Sequence, residues 1–139
     1  MNSRNLTMLV DFYEITMANG FFENGIADKT ACFDMFFRSV PDKGGFAIMA
    51  GVGQMIEYLK NIHFDDDDIE YLKEQKIFEQ GFLDYLKDFK FTGDLYSMAE
   101  GTVIFPQEPL VRIHAKLIEA QILEGLVLNF INFQSLIAT

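Results

Sequence analysis

The sequence predicts an α+β fold with mixed or antiparallel strand pairing. Helical and strand segments do not alternate regularly along the chain, which argues against a βαβ architecture. Half of the 139 residues are apolar, including 15 phenylalanines, so the chain can bury a substantial core. The longest predicted element is an apolar helix that starts at about Leu117 and runs to the last residue. Its apolar face is broad and includes Phe133 and Ile137, so we expect burial on more than one side.

The elements in the first third of the chain follow from periodicity and turn residues. Helical spacing of apolar residues predicts a first helix over Leu6–Phe22, and Asn24-Gly25 ends it. Alternating side chains predict strands at Lys29–Arg38 and Phe46–Ala50. The turn residues Pro41 to Gly45 between these strands favour a hairpin.

The middle of the chain is predicted to hold three helices followed by three short strands. The helices cover Gly51–Lys60, a segment that begins at Asp65–Asp68, and Glu79–Phe89. Aspartates in a first helical turn cap the helix and complement its dipole. The strands are Leu95–Ala99, Thr102–Phe105 and Leu110–His114, with prolines between them.

Charge and composition exclude several classes of protein. A net charge of −10 argues against nucleic-acid binding. The single cysteine, Cys32, cannot form an internal disulfide and favours a reducing, cytoplasmic compartment. The N-terminus lacks the continuous apolar run of a signal peptide. Leu117–Leu136 is long enough to span a membrane, but the glutamates and amides inside it favour a core helix.

Residue types and spacing alone name no reaction. The four aspartates Asp65–Asp68 lack the alternating ligands and glycine of a calcium loop, so we predict a helix cap and no metal site. His63 and His114 have no serine or cysteine partner at a suggestive spacing. Gly51-Val52-Gly53 lacks the lysine and third glycine of a phosphate loop and predicts a tight turn into a helix.

Three stretches of this chain carry a resemblance to a known family. Residues 9–22, LVDFYEITMANGFF, are similar to an opening block T-D-x-Y-x-x-T-M. Residues 36–51, FFRSVPDKGGFAIMAG, are similar to F-F-R-x-x-P-x-x-G-G-F. Residues 100–139 are similar to E-G-x-x-x-F-P-x-E-P-L, then E-x-Q-x-L-E and L-N-x-x-x-x-x-x-L-x-A-T. In this order the blocks resemble those of nicotinate phosphoribosyltransferases.

The resemblance implies an enzyme of NAD salvage. Such an enzyme joins nicotinate to phosphoribosyl pyrophosphate, giving nicotinate mononucleotide, with ATP hydrolysis coupled through a phosphorylated histidine. It implies the hammerhead-like N-terminal α/β domain of a type II phosphoribosyltransferase at residues 1–115. Residues 116–139 would start the helix into an α/β barrel, before which this chain is truncated. ATP and Mg²⁺ would bind outside these residues, no catalytic residue is expected within them, and the isolated chain is predicted to be inactive.

Two residues carry over from the family blocks as site residues. Tyr13 matches the tyrosine that packs on the pyridine ring of nicotinate in the partner subunit of a head-to-tail homodimer. A flat aromatic face suits that role, because stacking orients a heteroaromatic acid. Arg38, the arginine of F-F-R, is a candidate anion or interface contact. The alternatives from the residues alone are a core tyrosine and a solvated arginine. Val10 stands where the family usually has threonine.

Two other functions stay open at this point. A quinolinate phosphoribosyltransferase-like enzyme would share the domain plan but acts on a dicarboxylate. A non-catalytic module would only associate with itself or with a partner. A reading frame that continues beyond Thr139 into Ala-Ala-Arg and a barrel would favour the enzyme, and a stop codon there would favour the non-catalytic module.

Overall fold

The computed structural model describes residues 5–139; residues 1–4, which the predicted first domain includes, lie outside the described residues. The predicted α+β class is confirmed. The helices are α1 (Phe12–Glu23), α2 (Val52–Lys60), α3 (Asp66–Glu74), α4 (Gln80–Lys87) and α5 (Leu117–Ala138). The strands are β1 (Thr30–Met35), β2 (Ala47–Ile48), β3 (Asp94–Ser97), β4 (Val103–Ile104) and β5 (Val111–Lys116). A short 3-10 turn covers Pro41–Lys43.

The strands form two small antiparallel sheets. One sheet has the order β1-β5-β3, and the other pairs β2 with β4. The predicted hairpin between the first two strands is therefore wrong. β1 finds six partners along β5 with matching alternation of apolar residues, whereas β2 is only two residues long. The predicted turn at Pro41 is present, but it leads to a strand in the other sheet.

Helix α5 runs through the core of the domain. Residues 118–123 are all buried, which covers the full circumference of the helix there and confirms burial on more than one side. The helix contacts α1, α2, β1, β2 and β5. The helix packs closely against the elements before it. The predicted boundary at residue 116, between a first domain and a helix leading into a second, stays a prediction.

The last two turns of α5 are covered on one side only. Ile131 and Ser135 are buried there, and the Ser135 hydroxyl accepts a hydrogen bond from the Ala50 backbone N–H at 3.1 Å. Phe133 and Ile137 are exposed, so their predicted place on the core face is wrong. The short strand β2 offers one contact surface, and it takes the side of the helix that carries Ser135.

Local side-chain hydrogen bonds precede α1 and cap the start of α3. The first helix begins at Phe12, six residues after the predicted start. Before it, the Asn5 side chain accepts hydrogen bonds from the Thr7 backbone N–H and hydroxyl, and such local bonds compete with helix formation. The predicted aspartate cap is confirmed: Asp65 and Asp68 form a reciprocal capping box at α3.

Helix α5 is also long and apolar enough to cross a membrane, judged by length and composition. Its most apolar 18-residue window has a mean hydropathy of 1.2, and 44% of that window is buried inside the domain. Core helices of soluble proteins meet the same criterion. The contacts of α5 with five other elements identify it as the core helix of this domain.

We expect Gly93→Ala to destabilise the domain by about 1–3 kcal/mol, the usual cost of overpacking. A Cβ at Gly93 would contact Ala115 and lie 2.6 Å from the His114 carbonyl oxygen, both on the central strand β5. Urea unfolding measures the loss. Gly20→Ala is the matched control, since nothing but its chain neighbours and the backbone of its own helix lies within 4 Å of its Cβ position, and alanine favours a helix by up to about 1 kcal/mol. Equal stability of the two variants would contradict this packing.

Candidate functional site

Tyr13 lies on α1 with its ring at the surface. The side chain is 48% exposed, and Met17, one helical turn later, is 42% exposed. The Tyr13 hydroxyl donates a hydrogen bond to Glu124 Oε1 of α5 at 3.2 Å. The ring is thus open on one side and attached to the core helix at its polar end.

The acceptor of this bond is itself held in place. Gln121, which is 3% exposed, donates from Nε2 to the other carboxylate oxygen of Glu124 at 2.8 Å. Desolvation and the Glu124 carboxylate raise the pKa of Tyr13 above its ordinary value. The tyrosine therefore stays protonated near neutral pH and acts as the donor.

A second carboxyl group lies inside the same α1–α5 contact. Glu14 is 1% exposed, and within residues 5–139 neither carboxyl oxygen has a hydrogen-bond partner. The carboxyl lies against Gly125, where an added Cβ would meet both oxygens at 2.9 and 3.0 Å. Burial, and then the charge of Glu124, raise the pKa of Glu14 to about 7. This group changes its charge in the physiological range.

Arg38 lies apart from this cluster. It is exposed in the segment between β1 and the 3-10 turn. Across residues 5–139 its guanidinium has no ion-pair partner. Val10 is half-buried one residue before Asp11, the N-cap of α1, and lines a cavity with Asp68 and Tyr71 of α3. The described contacts thus place neither Arg38 nor Val10 beside the Tyr13 hydroxyl.

The glycine turn before α2 binds a carboxylate of its own chain. Gly51 is the N-cap of α2 in a left-handed conformation, with φ at 96°, which confirms the predicted turn into a helix. The backbone N–H groups of Gly51 and Gly53 both donate to Glu100 Oε1, at 3.0 and 3.1 Å. Sequence spacing did not connect Glu100 with this turn. Two of the family blocks meet here.

The outward face of the larger sheet carries a second group of polar side chains. Cys32 and Asp94 lie on either side of His114 in the strand register, a proximity that sequence spacing did not predict. Two register positions along, on the same face, Arg112 donates two hydrogen bonds to Asp34, both at 2.7 Å, and they lower the pKa of Asp34. In the part of the chain that the structure describes, no cluster of three His, Cys, Asp or Glu side chains could hold a metal ion.

These features define an α+β domain built on one core helix, with a half-exposed tyrosine attached to that helix. The family model of the nicotinate phosphoribosyltransferase (NAPRTase) N-terminal domain matches residues 8–132. The chain belongs to this family. The resemblance of the three sequence blocks is thereby confirmed.

Similar proteins agree with this assignment. The chain is 44% identical over 135 residues to a nicotinate phosphoribosyltransferase of Bacillus subtilis, covering 97% of this chain and 28% of the relative. A Dictyostelium discoideum nicotinate phosphoribosyltransferase is 37% identical, over 95% of this chain and 23% of the relative. The crystal structure of human nicotinic acid phosphoribosyltransferase matches with a TM-score of 0.86 at 30% identity, covering 94% of this chain and 27% of that one. The chain thus spans about a quarter of the length of each.

We expect Glu14→Gln to remove a pH dependence of stability between pH 5 and 8. Because the folded-state pKa of Glu14 is raised to about 7, the folded protein binds more protons than the unfolded one above the ordinary glutamate pKa. Its contribution to stability is complete below that ordinary value and is lost as the pH rises through 7. Glutamine stays neutral, so the variant should gain up to about 3 kcal/mol over the wild type at pH 8 and little at pH 5.

Urea unfolding at several pH values measures this difference. Glu70→Gln, which removes an exposed carboxylate of α3, is the control for the change in net charge. Parallel stability curves for wild type and Glu14→Gln would show that Glu14 is not a neutral buried acid.

Proposed function

We propose that this chain is the N-terminal domain of an enzyme that joins nicotinate to phosphoribosyl pyrophosphate, giving nicotinate mononucleotide for NAD salvage. The match of the family model to residues 8–132 carries the proposal. Coupling to ATP hydrolysis, a homodimeric assembly and a cytoplasmic location belong to the same proposal. The single exposed cysteine, Cys32, supports the cytoplasmic location.

Tyr13 is the proposed nicotinate-binding residue of this domain. Its half-exposed ring supports the proposal, because a core tyrosine would not offer a free face. An aromatic pair gains about 0.5–1.5 kcal/mol beyond area burial. In a head-to-tail homodimer the ring would reach the nicotinate of the partner subunit. Arg38, exposed and without an ion-pair partner within residues 5–139, is proposed as an anion or interface contact.

The phosphate chemistry is proposed to lie outside this chain. Phosphoribosyl pyrophosphate and ATP are polyanions, and they require cations or free backbone donors. The chain carries a net charge of −10, and the N–H groups of Gly51 and Gly53 already bind Glu100. The described residues also lack a group of acidic side chains that would fit Mg²⁺. We therefore place ATP, Mg²⁺ and the catalytic residues outside these residues.

The two alternatives make different predictions in one assay. A quinolinate phosphoribosyltransferase-like enzyme would use quinolinate in place of nicotinate. A self-associating module, which the exposed Phe133, Leu136 and Ile137 would suit, would use neither. The relatives reported above carry the nicotinate name, which favours the first proposal. Product formation by the complete product of the gene that encodes this chain, with each acid in turn, tests it. Residues 1–139 alone should form no nicotinate mononucleotide.

We expect Tyr13→Ala, in that complete gene product, to lower kcat/KM for nicotinate about tenfold, as the loss of an aromatic stack implies. ATP hydrolysis without nicotinate and the melting temperature should stay nearly unchanged, because the ring is half-exposed and away from the phosphates. Steady-state kinetics and thermal unfolding measure these quantities. Tyr96→Ala, which removes a 60% exposed tyrosine from β3, is the matched control. If Tyr13→Ala unfolds the protein or leaves nicotinate kinetics unchanged, the ligand role is wrong.

A further inference from the structure

The hydrogen bonds around Tyr13 form a short chain that ends in the core. Glu124 accepts from Tyr13 with one oxygen at 3.2 Å and from Gln121 with the other at 2.8 Å. Gln121 lies three residues earlier on α5, inside the stretch that is buried on all sides. The acceptor for Tyr13 therefore lies on the core helix of the domain and is bonded to one of its buried side chains.

The hydrogen bond from Tyr13 to Glu124 forms where α1 lies close to α5. Gly125 lacks a Cβ, and the space is taken by the Glu14 carboxyl. A side chain at Gly125 would require the Glu14 carboxyl to move out of this contact. Glycine inside a helix costs about 0.5–1 kcal/mol relative to alanine. The close contact between Glu14 and Gly125 therefore lowers the intrinsic stability of α5.

A half-exposed ring needs such an anchor if it is to bind a ligand in one orientation. Without a partner, the Tyr13 side chain could rotate among its rotamers at the surface. The Glu124 carboxylate limits this rotation by accepting from the hydroxyl at 3.2 Å, a long distance for an O–H donor. The bond leaves the face of the ring free, because it engages only the hydroxyl.

We propose that Glu124, held by Gln121, is a positioning residue that sets the orientation of the Tyr13 ring for nicotinate. This inference rests on the proposed function, in which Tyr13 contacts nicotinate. Glu124 does not touch the substrate and acts only through the tyrosine hydroxyl.

A purely structural role for Glu124 makes a different prediction. If the bond only fastened α1 to α5, its loss would lower the melting temperature and reduce all kinetic parameters together. A positioning role raises KM for nicotinate and leaves KM for phosphoribosyl pyrophosphate unchanged. Glu124→Gln keeps a carbonyl acceptor for Tyr13, and Gln121 can turn its own amide to accept from the new NH₂ group. The conservative variant should therefore rescue the effect.

The experiment uses four variants of the complete gene product: Glu124→Ala, Glu124→Gln, Tyr13→Phe and the double variant Tyr13→Phe/Glu124→Ala. We expect Glu124→Ala and Tyr13→Phe each to raise KM for nicotinate about two- to tenfold, the range that one hydrogen bond supports. The double variant should be no worse than either single variant, because both remove the same bond. Glu124→Gln should stay close to wild type. Glu70→Ala controls for the loss of an exposed carboxylate.

Three results would overturn the inference. The first is a double variant whose increase in KM for nicotinate is the product of the two single increases. The second is a Glu124→Gln variant as impaired as Glu124→Ala. The third is a rise of KM for both substrates together with a fall in melting temperature. An active enzyme with any of these results leaves the proposed function intact. A wild-type protein without nicotinate turnover would instead overturn the proposed function, and the inference with it.

Discussion

Burial of the first turns of α5 on all sides is the constraint on which the rest of the domain depends. Residues 118–123 are covered on every face, so their neighbours must supply both apolar contact and hydrogen bonds. The first N–H groups of a helix have no partner within it; here Leu117 N–H donates to Lys29 O at 2.7 Å and Ile118 N–H to Ala27 O at 3.2 Å. The segment before β1 is thereby attached to the start of α5. β1 and β5 then cover one flank and α1 covers another.

Two polar residues of α5 form hydrogen bonds that attach neighbouring segments to the helix. Glu119 is 2% exposed, and it accepts from the Thr92 backbone N–H at 2.8 Å and the Thr92 hydroxyl at 2.7 Å. Glu124 reaches Tyr13 in the same way. A buried carboxylate without such partners would be costly. Two of the side chains that argue against a membrane span, Glu119 and Glu124, thus attach the Thr92 turn and α1 to this helix.

Local sequence patterns predicted the helices and strands well. The strand partners and the buried side of α5 depend on residues far apart in the sequence, and these were not predicted. Alternation and helical spacing identified each strand and helix, and the Asp65 cap followed from residue type alone. Strand partners did not follow, because β1 and β5 are about 80 residues apart and only the folded core brings Cys32 opposite His114. The exposure of Phe133 had the same cause: spacing marks an apolar face, but the short strand β2 covers only the side with Ser135.

The candidate site was likewise predicted only in part from the sequence, and two of its features lower the stability of the domain. Only the family resemblance singled out Tyr13, since its residue type and spacing suit a core aromatic equally well. Glu14 and Gly125 carried no signal in the sequence, yet the structure brings a buried carboxyl, without a hydrogen-bond partner among residues 5–139, against a glycine in mid-helix. Each of these features is unfavourable for stability alone. Local violations of this kind concentrate at functional sites, so their position next to Tyr13 supports the proposed ligand role of that tyrosine.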